Sequence, residues 1–213
     1  MTYDRLQALV GRHSLQITGA FHPRPDDQTP SGTATLVLLS PSAAFWPAFT
    51  TSPEYLDGTP DPVDRWSTRV VTSLASELGA TPIFPFGGPP HHPFIAWATR
   101  SSSTWTSPVT LLVNASQGMM ISFRAALALP DRLELPAPPA KPCTTCSAPC
   151  QTACPVNALT PADYDVAACK AHASSPAGTT CRTDGCLVRR ACPVSAKAHR
   201  RPEQSAHHME YFL

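Results

Sequence analysis

All eight cysteines of this 213-residue chain lie between Cys143 and Cys192, and the 142 residues before them contain none. They form two sets of four, and each set ends in Cys-Pro. The first is Cys143, Cys146, Cys150 and Cys154, followed by Pro155; the second is Cys169, Cys181, Cys186 and Cys192, followed by Pro193. Two such sets are the sequence form of two [4Fe–4S] clusters, each held by four thiolates. The proline after the last cysteine removes a backbone donor and fixes φ, so the chain turns away from the site. Every other signal in the sequence is weaker than this one.

Three other readings use the same residues. Two structural zinc sites also take thiolates in fours. Zinc ribbons favour repeated Cys-x2-Cys pairs, however, and this chain has one such pair, Cys143 with Cys146. Four disulfides require an oxidising compartment. The N-terminal stretch from Met1 to Leu6 lacks the apolar run of a secretory signal, so the expectation is a cytoplasmic protein with reduced thiols. The third alternative is one cluster and four cysteines without a metal. A segment of about seventy residues also gains folding energy from a metal core, so a structural and a redox role are compatible.

The composition bounds the partners. Formal net charge is +1, from 16 Lys and Arg against 15 Asp and Glu, with no basic stripe. Nucleic acid is therefore not an expected partner, and no window reaches the length of a membrane span. The expected partner is a redox protein or a cofactor.

The 25 prolines outnumber the 10 glycines and predict many extended connections, and four of them fall in the connector at 136–142. The sequence reads as an α+β protein: an N-terminal mixed α/β domain over 1–135, the connector, and a small iron–sulfur domain over 143–213. A helix is expected from Tyr3 to His13, carrying Leu6, Leu9 and Val10 on one face. Strands are expected over Leu15–Ala20 and Ala34–Leu39. Asp61 as cap and Pro62 at the first position open a helix closed by Gly79. Thr81–Phe86 reads as an edge strand. Val109–Val113 and Met119–Leu129 read as a hairpin with Gly118 left-handed in its loop.

Outside the cysteines, Phe86, Gly87, Gly88, His91 and His92 make the most unusual local composition. The glycines permit close approach to a ligand and the histidines offer ring nitrogens; the competing reading is a stiff turn with exposed imidazoles. Trp97 and Trp105, on either side of Arg100, either stack on a planar ligand or fill the core. His207 and His208 read as part of a surface helix with Met209 and Phe212 turned inward. No phosphate-binding glycine motif and no nucleophile–base constellation is present.

The run Cys143-Thr-Thr-Cys146-Ser-Ala-Pro-Cys150-Gln-Thr-Ala-Cys154-Pro155-Val-Asn-Ala-Leu159, with Asp165-Val-Ala-Ala-Cys169 downstream, resembles a bacterial two-cluster ferredoxin module over 143–194. In the first set, three residues rather than two separate the second and third cysteines. The lone Cys169, an eleven-residue gap and the trio Cys181, Cys186 and Cys192 are similar to the ferredoxin part of epoxyqueuosine reductases. The resemblance implies crossed ligation, in which the last cysteine of each set serves the other cluster. Cluster one then takes Cys143, Cys146, Cys150 and Cys192; cluster two takes Cys154, Cys169, Cys181 and Cys186. The layout from Ser107 through Gly118 to Leu127 and into Cys143 also resembles epoxyqueuosine reductases and reductive dehalogenases, whose N-terminal domain holds a cobalamin. Their glycine-rich segment is replaced here by Ser103-Thr-Trp-Thr-Ser107. The expected function is electron transfer by two [4Fe–4S] clusters. The alternatives are a cobalamin- or flavin-dependent reductase, with the cofactor near the Phe86–His92 loop, and clusters that are only structural.

Overall fold

A computed structural model describes residues 1–213 as an α+β fold. The chain divides into two compact units, Met1–Ser103 with Ser122–Pro139, and Thr104–Ile121 with Ala140–Leu213. In chain order, the first unit contributes α1 (Tyr3–Arg12), β1 (Leu15–Phe21), β2 (Thr35–Pro41), α2 (Phe45–Thr50), α3 (Pro53–Leu56), α4 (Pro62–Leu78), β3 (Thr81–Ile83) and α5 (Phe94–Arg100). The second unit then takes β4 (Thr104–Thr106) and β5 (Leu112–Asn114), and β6 (Ala125–Leu129) belongs to the first again. The remaining helices are α6 (Val166–Ser174), α7 (Thr179–Asp184), α8 (Leu187–Ala191) and α9 (Pro202–Phe212), all of the second unit.

The first unit is built on a four-stranded antiparallel sheet in the order β1-β2-β6-β3. Every residue of β2 is buried, as its continuous apolar run requires of a central strand covered on both faces. Alternation divides that burial. Val37, Leu39, Ala125, Leu127 and Leu129 join Leu6 and Val10 of α1, Phe45 and Phe49 of α2 and Trp66, Val70 and Leu74 of α4 in one core. Phe45 stacks on Phe49 at 5.3 Å and meets Trp66 edge-on at 5.0 Å. On β1, a Cβ at Gly19 would stand 2.5 Å from the Ser101 hydroxyl, so only glycine admits the turn that ends α5. β3 lies at the sheet edge, where Pro82 costs no ladder bond.

Two local expectations are corrected. Asp61 precedes α4 but makes no capping hydrogen bond; its backbone is left-handed, with φ at 55°. The approach to α4 is held instead by Arg65, which donates to both Asp57 carboxylate oxygens and to the carbonyls of Glu54, Thr59 and Pro60. The late hairpin does not form either. β5 pairs with β4, whereas β6 pairs with β2 and β3. Thr110, with φ at 65°, interrupts the run expected from Val109 to Val113. Gly118 is left-handed as expected, at φ 56°, but it closes an isolated bridge with Asn114 rather than a turn between long strands.

The second unit has little regular sheet, only the β4–β5 ribbon. The sequence placed 104–121 with the N-terminal domain, yet this stretch packs with the cysteine segment. Asn114 donates to Thr104 and accepts from the amides of Ser116 and Gln117, and so shapes the turn that delivers Met119. The Met119 amide donates to the Ser195 hydroxyl at 3.1 Å. Its carbonyl accepts from Arg189 at 2.7 Å, and the Met120 carbonyl accepts from Arg200 at 3.0 Å. A Cβ at Gly118 would lie 2.4 Å from the Ser195 amide, which is why this crossing needs glycine.

Candidate metal centre

None of the eight cysteines forms a disulfide, and short turns and helix starts position them. Cys143 and Cys150 sit in single 3-10 turns opened by Pro142 and Pro149, and Cys192 caps the turn opened by Pro193. In each turn the proline occupies a position whose amide has no intrahelical partner, so nothing is lost there. Cys169 lies on α6, which Asp165 caps by accepting from the Ala168 amide at 2.8 Å. Cys181 lies on α7, and Cys186 immediately precedes α8.

The thiols separate into two neighbourhoods. Cys143 and Cys150 each act electrostatically with Cys146 and Cys192. Cys150 and Cys192 are buried, at 4% and 8% exposure, among Val109, Val113, Met119, Leu159 and Val188. Cys154, Cys169, Cys181 and Cys186 line a single cavity of about 30 Å³, together with Leu159, His172, Ala173, Val188 and Met209. Cys154 and Cys192 are thus each brought to the neighbourhood of the other set. Sequence neighbours part company while cysteines about fifty residues apart meet.

Two glycines allow the stretched second set to close. At Gly178, between α6 and α7, a Cβ would come 2.0 Å from the His172 carbonyl. Gly185, between α7 and α8, has φ at 88° and faces Ser205 of α9, 2.8 Å from where a Cβ would stand. Arg182 of α7 donates to the Ala173 and Ser175 carbonyls, satisfying free acceptors at the end of α6. The eleven-residue gap is therefore occupied by the rest of α6, a tight turn and the start of α7.

Burial dominates the electrostatics of the site. It raises the thiol pKa of Cys143, Cys150, Cys181 and Cys186 above the ordinary value, opposed at Cys143 by Lys141 and at Cys186 by the Val188 and Arg189 amides and the Arg189 charge. Such thiols give up their protons when a metal binds. Sulfur acceptors are already served by backbone amides: Ala148 donates to Cys146 at 3.4 Å and Ala158 to Cys154 at 3.2 Å. The Tyr164 phenol is raised by burial and by its contact with the Cys169 thiol. No three His, Cys, Asp or Glu side chains converge as closely as one ion requires.

The other sequence-derived candidates find different surroundings. Gly87, Gly88, His91 and His92 form an exposed loop, and Phe86 at its base is half-buried. His92 stacks on Trp97 at 5.7 Å, and Phe86 packs on Phe84 at 5.2 Å with the Arg124 guanidinium over it. Trp97 is 1% exposed and donates its ring N–H to the Asp27 carbonyl at 2.6 Å. Trp105 belongs to the second unit and packs on the cysteine core. On α9 the buried residues are Gln204 and Ser205, while Met209 and Phe212 are half-buried. His207 and His208 sit edge to face, 5.9 Å between ring centres, and burial lowers the His207 pKa.

Sequence reading missed Tyr164, Arg189, Gly178 and Gly185 in this centre. The glycines had a visible signal, since each punctuates the gap between two cysteines; Tyr164 and Arg189 had none. No protein-family model, no curated protein and no solved structure matches this chain. No helix is long and apolar enough to cross a membrane.

Proposed function

We propose that the second unit is a ferredoxin-like module holding two [4Fe–4S] clusters, and that the protein carries electrons to a redox partner. The observation that carries this reading is the sorting of eight thiols into two groups of four with Cys154 and Cys192 exchanged. Cys143, Cys146, Cys150 and Cys192 hold one group; Cys154, Cys169, Cys181 and Cys186 hold the other. The donor set fits: soft thiolates, amides directed at sulfur, apolar walls, and space among the four cysteines of the second group. A tetrahedral zinc site brings its sulfurs to about 3.8 Å of one another, from zinc–sulfur bonds of about 2.3 Å. A cubane holds them farther apart, as a cavity between the thiols suits. When bound, such a cluster supplies one-electron transfer at a potential set by its surroundings. The chain excludes water with Leu159, Val188 and Met209 and holds the sulfurs with amides.

The reductase reading is not favoured by any contact in the first unit, where the aromatic rings beside His91 and His92 are engaged with one another. The test is anaerobic purification with metal and sulfide analysis and dithionite reduction. About eight iron and eight sulfide per chain are expected, with a spectrum that bleaches reversibly. Stoichiometric zinc without sulfide sinks the proposal, and clusters that resist reduction leave them structural.

A further inference from the structure

We propose that Arg189 sets the reduction potential of the group held by Cys154, Cys169, Cys181 and Cys186, keeping it above that of the group held by Cys143, Cys146, Cys150 and Cys192. This rests on the function proposed above. Cluster potentials respond to nearby charge, hydrogen bonding to sulfur and solvent exposure. Backbone amides serve sulfur in both groups, Ala148 and Cys150 in the first and Ala158, Leu187, Val188 and Arg189 in the second. A side-chain substitution at Arg189 leaves those amides in place and removes only its charge, in which the two groups also differ.

Arg189 is half-buried, three residues beyond Cys186, and the buried Met119 carbonyl holds its guanidinium at 2.7 Å. Its charge reaches both Cys186 and Tyr164, and Tyr164 rests against Cys169. It has no carboxylate partner. The arginines that do are Arg65, Arg69, Arg100, Arg124 and its own neighbour Arg190, which faces Asp184 at 3.6 Å. A half-buried, unneutralised cation stabilises the added negative charge of the reduced state. In the first group the nearby cation is Lys141, which is exposed and screened by solvent and salt.

The test is a potentiometric titration of the cluster-loaded full chain followed by electron paramagnetic resonance, with iron and sulfide measured on each sample. Cys181→Ser identifies the second group's signal. Arg189→Gln is expected to lower that group's potential by a tenfold change in its equilibrium with the first, about 59 mV for one electron, while Arg190→Gln moves it less. A fully loaded Arg189→Gln protein with an unchanged separation overturns the assignment and leaves the two-cluster reading standing. A wild-type protein without the second cluster overturns both. If Arg189→Gln loads poorly, Arg189→Lys decides: retained order is expected, and a reversed order overturns the proposal.

Discussion

The two units solve the problem of a core in opposite ways. The first gathers eighteen buried residues, Leu6 to Leu133, around a regular sheet, with three aromatic rings interlocked between α2 and α4. A comparable cluster in the second has seven buried residues, two of them the cysteines Cys150 and Cys192, and of the six half-buried cysteines Cys143, Cys154 and Cys186 pack against it. Apolar burial stabilises a domain at roughly 25 cal/mol per Å², so the fewer large buried side chains of the second unit contribute less against its chain entropy. The first unit rests on packed side chains, whereas on the function proposed above the second would also draw stability from what its thiols bind.

The largest expected effect breaks the molecule along that line. Removing metal with a chelator under reducing conditions should unfold the second unit and leave the first folded. Amide resonances of β2 and β6 should stay dispersed while those of α6 to α9 collapse; simultaneous loss of both sets would show that the units are not independent in this way. Cys192→Ala comes next. Because Cys192 stands with Cys143, Cys146 and Cys150, the variant should lose about half the iron, and the signal lost should belong to the first group. Selective loss of the second group's signal would show the crossed assignment to be wrong.

Smaller effects belong to the first unit. Leu74→Ala removes a fully buried side chain and should cost about 3 kcal/mol in denaturant unfolding of that unit, with iron content unchanged. An equal loss of iron would contradict the separation. The smallest effect is at Glu54. Its carboxyl is lowered to about 2, chiefly by hydrogen bonding to Arg69. A depressed folded-state pKa contributes stability above the unfolded value, and that contribution is lost as pH falls from about 4.5 towards 2. Arg69 is 54% exposed, so solvent screening limits the pair to about 1 kcal/mol. Glu54→Gln should flatten the acid limb of the first unit's stability profile by that amount, and an unchanged limb would remove the pair from the account.

The sequence by itself determined the elements whose residues carry a periodicity. Val63, Trp66, Val70 and Leu74 recur at helical spacing, and the structure makes them α4, closed by a left-handed Gly79. The unbroken run ending at Leu39 became the central strand, and Thr81 to Ile83 became an edge. The cysteines stood out because thiols in fours have few other uses. Tertiary structure alone decided three things. It assigned 104–121 to the second unit, because the decisive contacts run from Met119 and Gly118 to Ser195 and Arg189, 70 or more positions apart. It sent β6 to pair with β2, since strand partners are chosen by burial on both faces rather than by nearness in the chain. And it divided the thiols, because which four cysteines share a neighbourhood depends on where Gly178 and Gly185 let the backbone cross, a steric fact that spacing along the chain does not contain.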